Sequence, residues 1–114
     1  MSVPNVPMRE PAYFILAVLL DGRLHGYAII RRASELSGGR VRLSAGTLYT
    51  ALDRLQAAGL IETDGEEIVD GRLRRYYRIS DAGVEAVRQE AARLARAAAV
   101  VSHRVGLQHV IAGA

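Results

Sequence analysis

Residues 44–62, SAGTLYTALDRLQAAGLIE, leave the chain little choice of local structure. Leu48, Leu52 and Leu55 recur at i, i+4 and i+7, which is one face of an α-helix. Ser44 stands where a hydroxyl can accept a bond from a free N–H of the first turn. Gly59 follows the last periodic residue, where a helix end calls for a left-handed backbone. The other face carries Thr47, Thr50, Asp53 and Arg54, with Tyr49 at its margin. A capped helix over 44–58 with one apolar face and one compact hydrogen-bonding face suits a DNA major groove. An ordinary surface helix would show the same periodicity, so the rest of the chain has to decide.

At 114 residues, one domain with an appendage is expected, and half the residues are hydrophobic, enough for a small core. The chain has no Cys, which excludes disulfides, thiolate metal sites and thiol nucleophiles and is compatible with a reducing cytoplasm. No basic segment precedes a long apolar run, so no signal peptide is expected. The longest apolar run, Ala12 to Leu20, is nine residues. A membrane helix needs roughly 20, so no membrane association is expected. Net charge is +3, and all 15 basic residues are Arg. Arginine forks match phosphates and guanine edges, which favours nucleic acid, although a GC-rich codon bias gives the same composition.

Residues 1–8 hold Pro4 and Pro7 without periodicity and read as a flexible N-terminal arm. Pro11 suits the first turn of a helix, and the unbroken run from Tyr13 to Leu20 predicts a central core helix. Asp21-Gly22 marks a turn. In the next segment Ile29, Ala33 and Leu36 line one helical face, and Gly26 weakens that helix unless close packing requires it. Ser37-Gly38-Gly39 stops it, and the alternation in Arg40-Val41-Arg42-Leu43 predicts a very short strand. Beyond the 44–58 helix, Leu60-Ile61 and Leu73–Ile79 predict the two strands of a hairpin. Thr63 to Arg72 reads as a loop between them, with turn-forming pairs at Asp64-Gly65 and Asp70-Gly71. That loop carries Asp64, Glu66, Glu67 and Asp70, and the basic residues Arg72, Arg74, Arg75 and Arg78 cluster at its base and on the return strand.

Ser80 caps a last helix and Asp81 favours the positive end of its dipole. Val84, Val87, Ala91, Leu94, Ala98, Val101 and Val105 step alternately by three and four, a heptad seam rich in Ala. Little else in so short a chain is left to cover it, so it reads as a dimerisation seam rather than one folded back on its own domain. Residues 106–114 contain Gly106 and Gly113 and are expected to fray. Assembled, the fold class is mainly α with a small β-hairpin wing (α+β): a winged helix-turn-helix over 9–80, then a C-terminal dimerisation helix over 81–114. The third helix is the reader and the hairpin is the wing.

The run GTLYTALDRLQAAGLIE at 46–62 resembles the signature of the PadR family of bacterial transcriptional regulators. HGYAIIRR at 25–32 and RRYYRISDAG at 74–83 are similar to that family's flanking motifs, in matching order and spacing. The resemblance covers about residues 10–100, and the single short C-terminal helix looks like the compact subgroup. It implies a homodimeric repressor that binds a roughly palindromic operator on double-stranded DNA. It also implies a C-terminal helix packed against the partner's N-terminal helix; Tyr13 and Phe14 here lie near that interface, where they could line a cavity, with core packing as their plainer role. In the family the tyrosines of the HGY and GTLY motifs commonly contact the DNA backbone, and these match Tyr27 and Tyr49. A small-molecule effector is implied too, of an identity the sequence does not give. With no Trp, a pocket built on a stacked Trp pair is excluded.

Ser44, Gly46, Thr47, Tyr49, Thr50 and Arg54 are the reader-helix candidates, because recognition helices dock with their N-terminal residues and free N–H groups there suit phosphate. Arg54 has an alternative as an ion-pair partner, and Tyr49 and Tyr27 as core tyrosines with surface hydroxyls. In the wing 62–75, Arg72, Arg74 and Arg75 suit phosphates or the minor groove; a solvated or ion-paired arginine is the plain alternative for each. Arg75 shares a strand face with Tyr77 and Ile79, which point to the core. Arg31, Arg32 and Arg42 are weaker candidates. His25, His103 and His109 form no metal set, no cofactor is implied, and no catalytic motif is present, so no enzyme is expected. The acidic wing loop motivates the alternative of a winged-helix protein-interaction module that does not bind DNA.

Overall fold

A computed structural model describes residues 8–112. Residues 1–7 of the expected arm lie outside the described residues, and Met8 packs against the core. Helix α1 (Glu10–Leu19) opens with Pro11 in its first turn and buries Ile15, Leu16, Val18 and Leu19. It is the central core helix that its unbroken apolar run predicts. Strand β1 (Leu24–His25) leads directly into α2 (Gly26–Leu36), whose N-terminus is capped by the His25 ring: Nδ1 accepts a bond from the Ala28 N–H at 3.4 Å. Ile29 and Ala33 face the core, but Leu36 does not. The chain leaves α2 at that point, and Leu36 is exposed.

Helix α3 (Ala45–Ala57) has both ends fixed as its sequence dictates. Ser44 Oγ accepts from the Thr47 N–H at 3.2 Å. At the other end Gly59 adopts φ +76°. The Leu60 N–H reaches the Leu55 carbonyl at 2.9 Å and the Gly59 N–H the Gln56 carbonyl at 2.9 Å. These two bonds satisfy two of the last free carbonyls of the helix and redirect the chain into the sheet. Leu48, Leu52 and Leu55 pack on α1 and α2 in a core completed by Val41, Leu43, Ile61, Tyr77 and Val87.

Strands β2 (Ile61–Val69) and β3 (Arg72–Ile79) form the wing in an antiparallel sheet of order β1-β3-β2. Here the structure corrects two expectations. The loop expected over Thr63 to Arg72 is mostly strand. Only Asp70-Gly71 turns, with both φ positive (53° and 75°), the backbone of a two-residue hairpin turn. Asp64-Gly65 is instead a bulge: the register shifts between Thr63↔Tyr77 and Glu66↔Arg75, so β2 gains one residue. The strand expected at 40–43 does not form. Val41 and Leu43 are buried and Arg40 and Arg42 exposed, as alternation predicts. The Val41 N–H, however, bonds the Ser37 hydroxyl at 2.9 Å rather than a neighbouring strand. The third strand is β1, paired Leu24↔Tyr77 and His25↔Tyr76.

Helix α4 (Asp81–Ala112) begins at Ser80, whose Oγ accepts from the Gly83 N–H at 3.0 Å and donates to the Gly59 carbonyl at 2.6 Å. Gly83 allows close approach: a methyl there would overlap the Leu60 carbonyl. Fraying from Gly106 is not observed; the helix runs on to Ala112, and Gly113 lies outside the described residues. One glycine costs a long helix only about 1 kcal/mol. Ala86 and Val87 join the core, and beyond them the helix projects, which stretches the molecule to 66 × 35 × 22 Å.

Candidate nucleic-acid interface

With Leu48, Leu52 and Leu55 turned inward, the outward face of α3 follows from its pitch. Gly46, Thr47, Thr50 and Arg54 are all exposed. Beyond its own chain neighbours and helix backbone, nothing lies within 4 Å of where a Cβ on Gly46 would stand, so that face is open to an approaching surface. The Ser44 hydroxyl is committed to the cap and donates to Thr47 Oγ1 at 3.0 Å, which orients both at the helix N-terminus. Arg54 forms no ion pair among the described residues, so the carboxylate alternative for it is not realised. Ser44, Gly46, Thr47, Thr50 and Arg54 line one side of an open groove of about 730 Å³ whose other side is Arg9, Pro11 and Ala12 of the α1 N-terminus.

Tyr49 of α3 reaches the start of α2 at Gly26, the residue before Tyr27. Tyr27 is 70% exposed and Tyr49 49% exposed, so neither is a core tyrosine. A Cβ on Gly26 would sit 2.9 Å from the Tyr49 hydroxyl and 3.3 Å from Leu48 Cδ2. That close packing is why a glycine opens α2, and it leaves the Tyr49 hydroxyl on the rim beside Tyr27.

The wing is less basic than its arginines suggest. Arg75 pairs with Glu66 at 3.2 Å, and Arg78 with Glu62 at 2.6 Å and Asp64 at 3.8 Å. Donating hydrogen bonds to Glu66 and to Glu62 pushes the Arg75 and Arg78 guanidinium pKa values up. Tyr77 is in the core, as the alternation predicts, and burial raises its phenol pKa. Arg72, beside the turn, and Arg74 form no ion pair among the described residues. Of the weaker candidates, Arg31 lies 4.0 Å from Glu35, Arg42 donates to the Gly39 carbonyl at 3.0 Å, and Arg32 is exposed.

A cluster that the sequence does not announce joins the wing to β1. The Arg23 guanidinium sits 4.3 Å over the Tyr76 ring and donates to the Asp64 carbonyl in the bulge at 3.0 Å. His25 meets the same ring edge-on at 5.6 Å, and the Tyr76 hydroxyl donates to Glu67 at 3.1 Å. Burial, then the neighbouring Arg74 and Arg31, lowers the His25 pKa, which suits a ring that must stay neutral to cap α2. The only legible signal was the aromatic pair itself; its partners depend on the register.

Tyr13 and Phe14 are half-buried and meet edge-on at 5.5 Å, packed against the core. The heptad seam on α4 divides. Val87 is only 5% exposed and is taken into the chain's own core, so it is not part of a free stripe as expected. Val84, Ala91, Leu94, Ala98, Val101 and Val105 remain exposed, with Val101 at 62% and Val105 at 56%. Among the described residues no group of His, Asp and Glu could hold a metal, and no helix is long and apolar enough to cross a membrane.

Comparison with known proteins agrees with this architecture. Residues 15–89 match the model of the transcriptional regulator PadR-like family. The chain is 41% identical over 76 residues to transcriptional regulator Rv3488 of Mycobacterium tuberculosis, which covers 67% of each. Its fold is similar to a PadR-like transcription factor from Bacteroides fragilis, with TM-score 0.67 and 26% identity over 81% of this chain and 86% of that one. It is also similar to Bacillus subtilis PadR in complex with operator DNA, with TM-score 0.62 and 26% identity, covering 70% of this chain but only 46% of that one. A capped reader-type helix, a wing and a family match over most of the fold lead to one conclusion: the chain belongs to the PadR-like family of transcriptional regulators.

Proposed function

We propose that this regulator is a homodimeric repressor that binds a palindromic operator, with α3 in the major groove and the wing beside it. The observation that carries the reading is the open face of α3. Gly46, Thr47, Thr50 and Arg54 lie exposed on a helix with a fixed N-terminus, with Tyr27 and Tyr49 along one edge. Hydroxyls and a guanidinium of this kind bond base edges and phosphates. Arg72 and Arg74 are the wing arginines with charge to offer. The exposed stripe from Leu94 to Val105 is the surface a second copy would cover, with Tyr13 and Phe14 as its counterpart. Regulation by a small molecule, and a cytoplasmic setting, go with this reading.

The test is selection of genomic fragments by the purified protein, then titration of the best site at two salt concentrations. The reading expects an inverted repeat, salt-sensitive binding, and a loss on Tyr49→Ala with the fold intact. A second reading rests on the carboxylate-paired wing and its exposed Ile68 and Leu73, which suit a protein surface better than a phosphate backbone. Protein capture through the wing, with no DNA affinity at low salt, would select it.

A further inference from the structure

A helix lying in the major groove, about 12 Å wide, is flanked by a phosphate backbone on each side. On α3 the two edges differ. The edge toward α2 carries Tyr49, with Tyr27 beside it. The opposite edge carries Thr47 and Arg54 and faces the groove under the α1 N-terminus, where Arg9 stands across from them. No carboxylate lines this groove, whereas the clefts along α2 each include Glu35. Glu10, next to Arg9 in sequence, is turned away and bonded to Arg40 at 3.0 Å. Arg9 makes no ion pair among the described residues, and its side chain does not cap α1. Residues 1–7 contain no acid that could neutralise it.

Resting on the reading of α3 as the DNA-reading helix, we propose that this groove receives the second backbone strand and that Arg9 and Arg54 each take one of its phosphodiesters. Tyr27 and Tyr49 hold the other strand, so the helix is gripped from both rims. The α1 N-terminus thereby acts as part of the DNA-binding surface as well as part of the core. The contact is to phosphate, so it adds affinity and fixes register without choosing bases.

Each phosphate contact removed lowers the slope of log affinity against log salt by about 0.9. Full-length protein carrying Arg9→Gln should therefore bind a mixed-sequence duplex and its selected site more weakly by a similar factor. The salt slope should fall by about 1 per protomer, with the unfolding midpoint unchanged and Arg9→Lys restoring the slope. Wild-type slope in Arg9→Gln, whether or not affinity falls, overturns the inference and leaves the DNA-binding reading standing. Failure of the wild-type protein to bind either duplex overturns both.

Discussion

Gly26 and Tyr49 bind structure to function at a single contact. At the first position of α2, Gly26→Ala gains less helix propensity than the roughly 1 kcal/mol of a helix interior, and its methyl meets Leu48. The Tyr49 ring must swing away, since its hydroxyl lies 2.9 Å from that methyl. Stability within about 1 kcal/mol of wild type, by thermal unfolding, with clearly weaker DNA binding, is the expected pair of results. His25 makes a second prediction. Its pKa is lowered in the fold, so the unfolded chain binds the proton more readily. The cap's contribution is present above the ordinary histidine value near 6.5 and is lost as pH falls through the folded pKa. Asparagine is a good cap that does not titrate. His25→Asn should therefore flatten the fall in unfolding midpoint on acidification, measured against wild type. The caps at Ser44 and Ser80 and the turn at Gly59 were legible because each depends on neighbours in the chain. The Arg23–Tyr76–His25 stack was not, because it depends on which residues the sheet places side by side.

The helices declared themselves through periodicity, and the strands much less so. The alternation at 40–43 is real, but it records burial of Val41 and Leu43 without any pairing. β1 is two residues long, too short to carry a pattern. Both Asp-Gly pairs in the wing look like turns, and only the register separates the bulge at 64–65 from the turn at 70–71. That bulge also sets Glu66 opposite Arg75, the pair that takes up one of the wing's positive charges. Ser80 joins α4 to the end of α3 through two hydrogen bonds. Ser80→Ala should cost about 1–2 kcal/mol in denaturant unfolding. It should leave the DNA affinity of the folded protein intact, because Ser80 is not on the reader face.

Across the molecule, core and projection are distinct. The α1–α3 core is closed within one chain, while α4 carries Leu94, Val101 and Val105 out into solvent. A row of apolar residues on a projecting helix marks an interaction surface, and the proposed dimer would use it. Leu94→Arg with Val101→Arg should convert a dimer to a folded monomer in light scattering. It should also weaken operator binding by more than tenfold, since two half-sites then no longer act together. The heptad spacing on α4 was legible, but not that Val87 would be drawn into the core, because a heptad step does not tell which turns a neighbouring domain reaches. The most direct test of the whole account is footprinting of the folded wild-type protein on DNA selected from its own genome. The account predicts two protected half-sites about one helical turn, roughly 34–36 Å, apart, with protection that fades steeply as salt rises. A folded protein that protects no site even at low salt would contradict it.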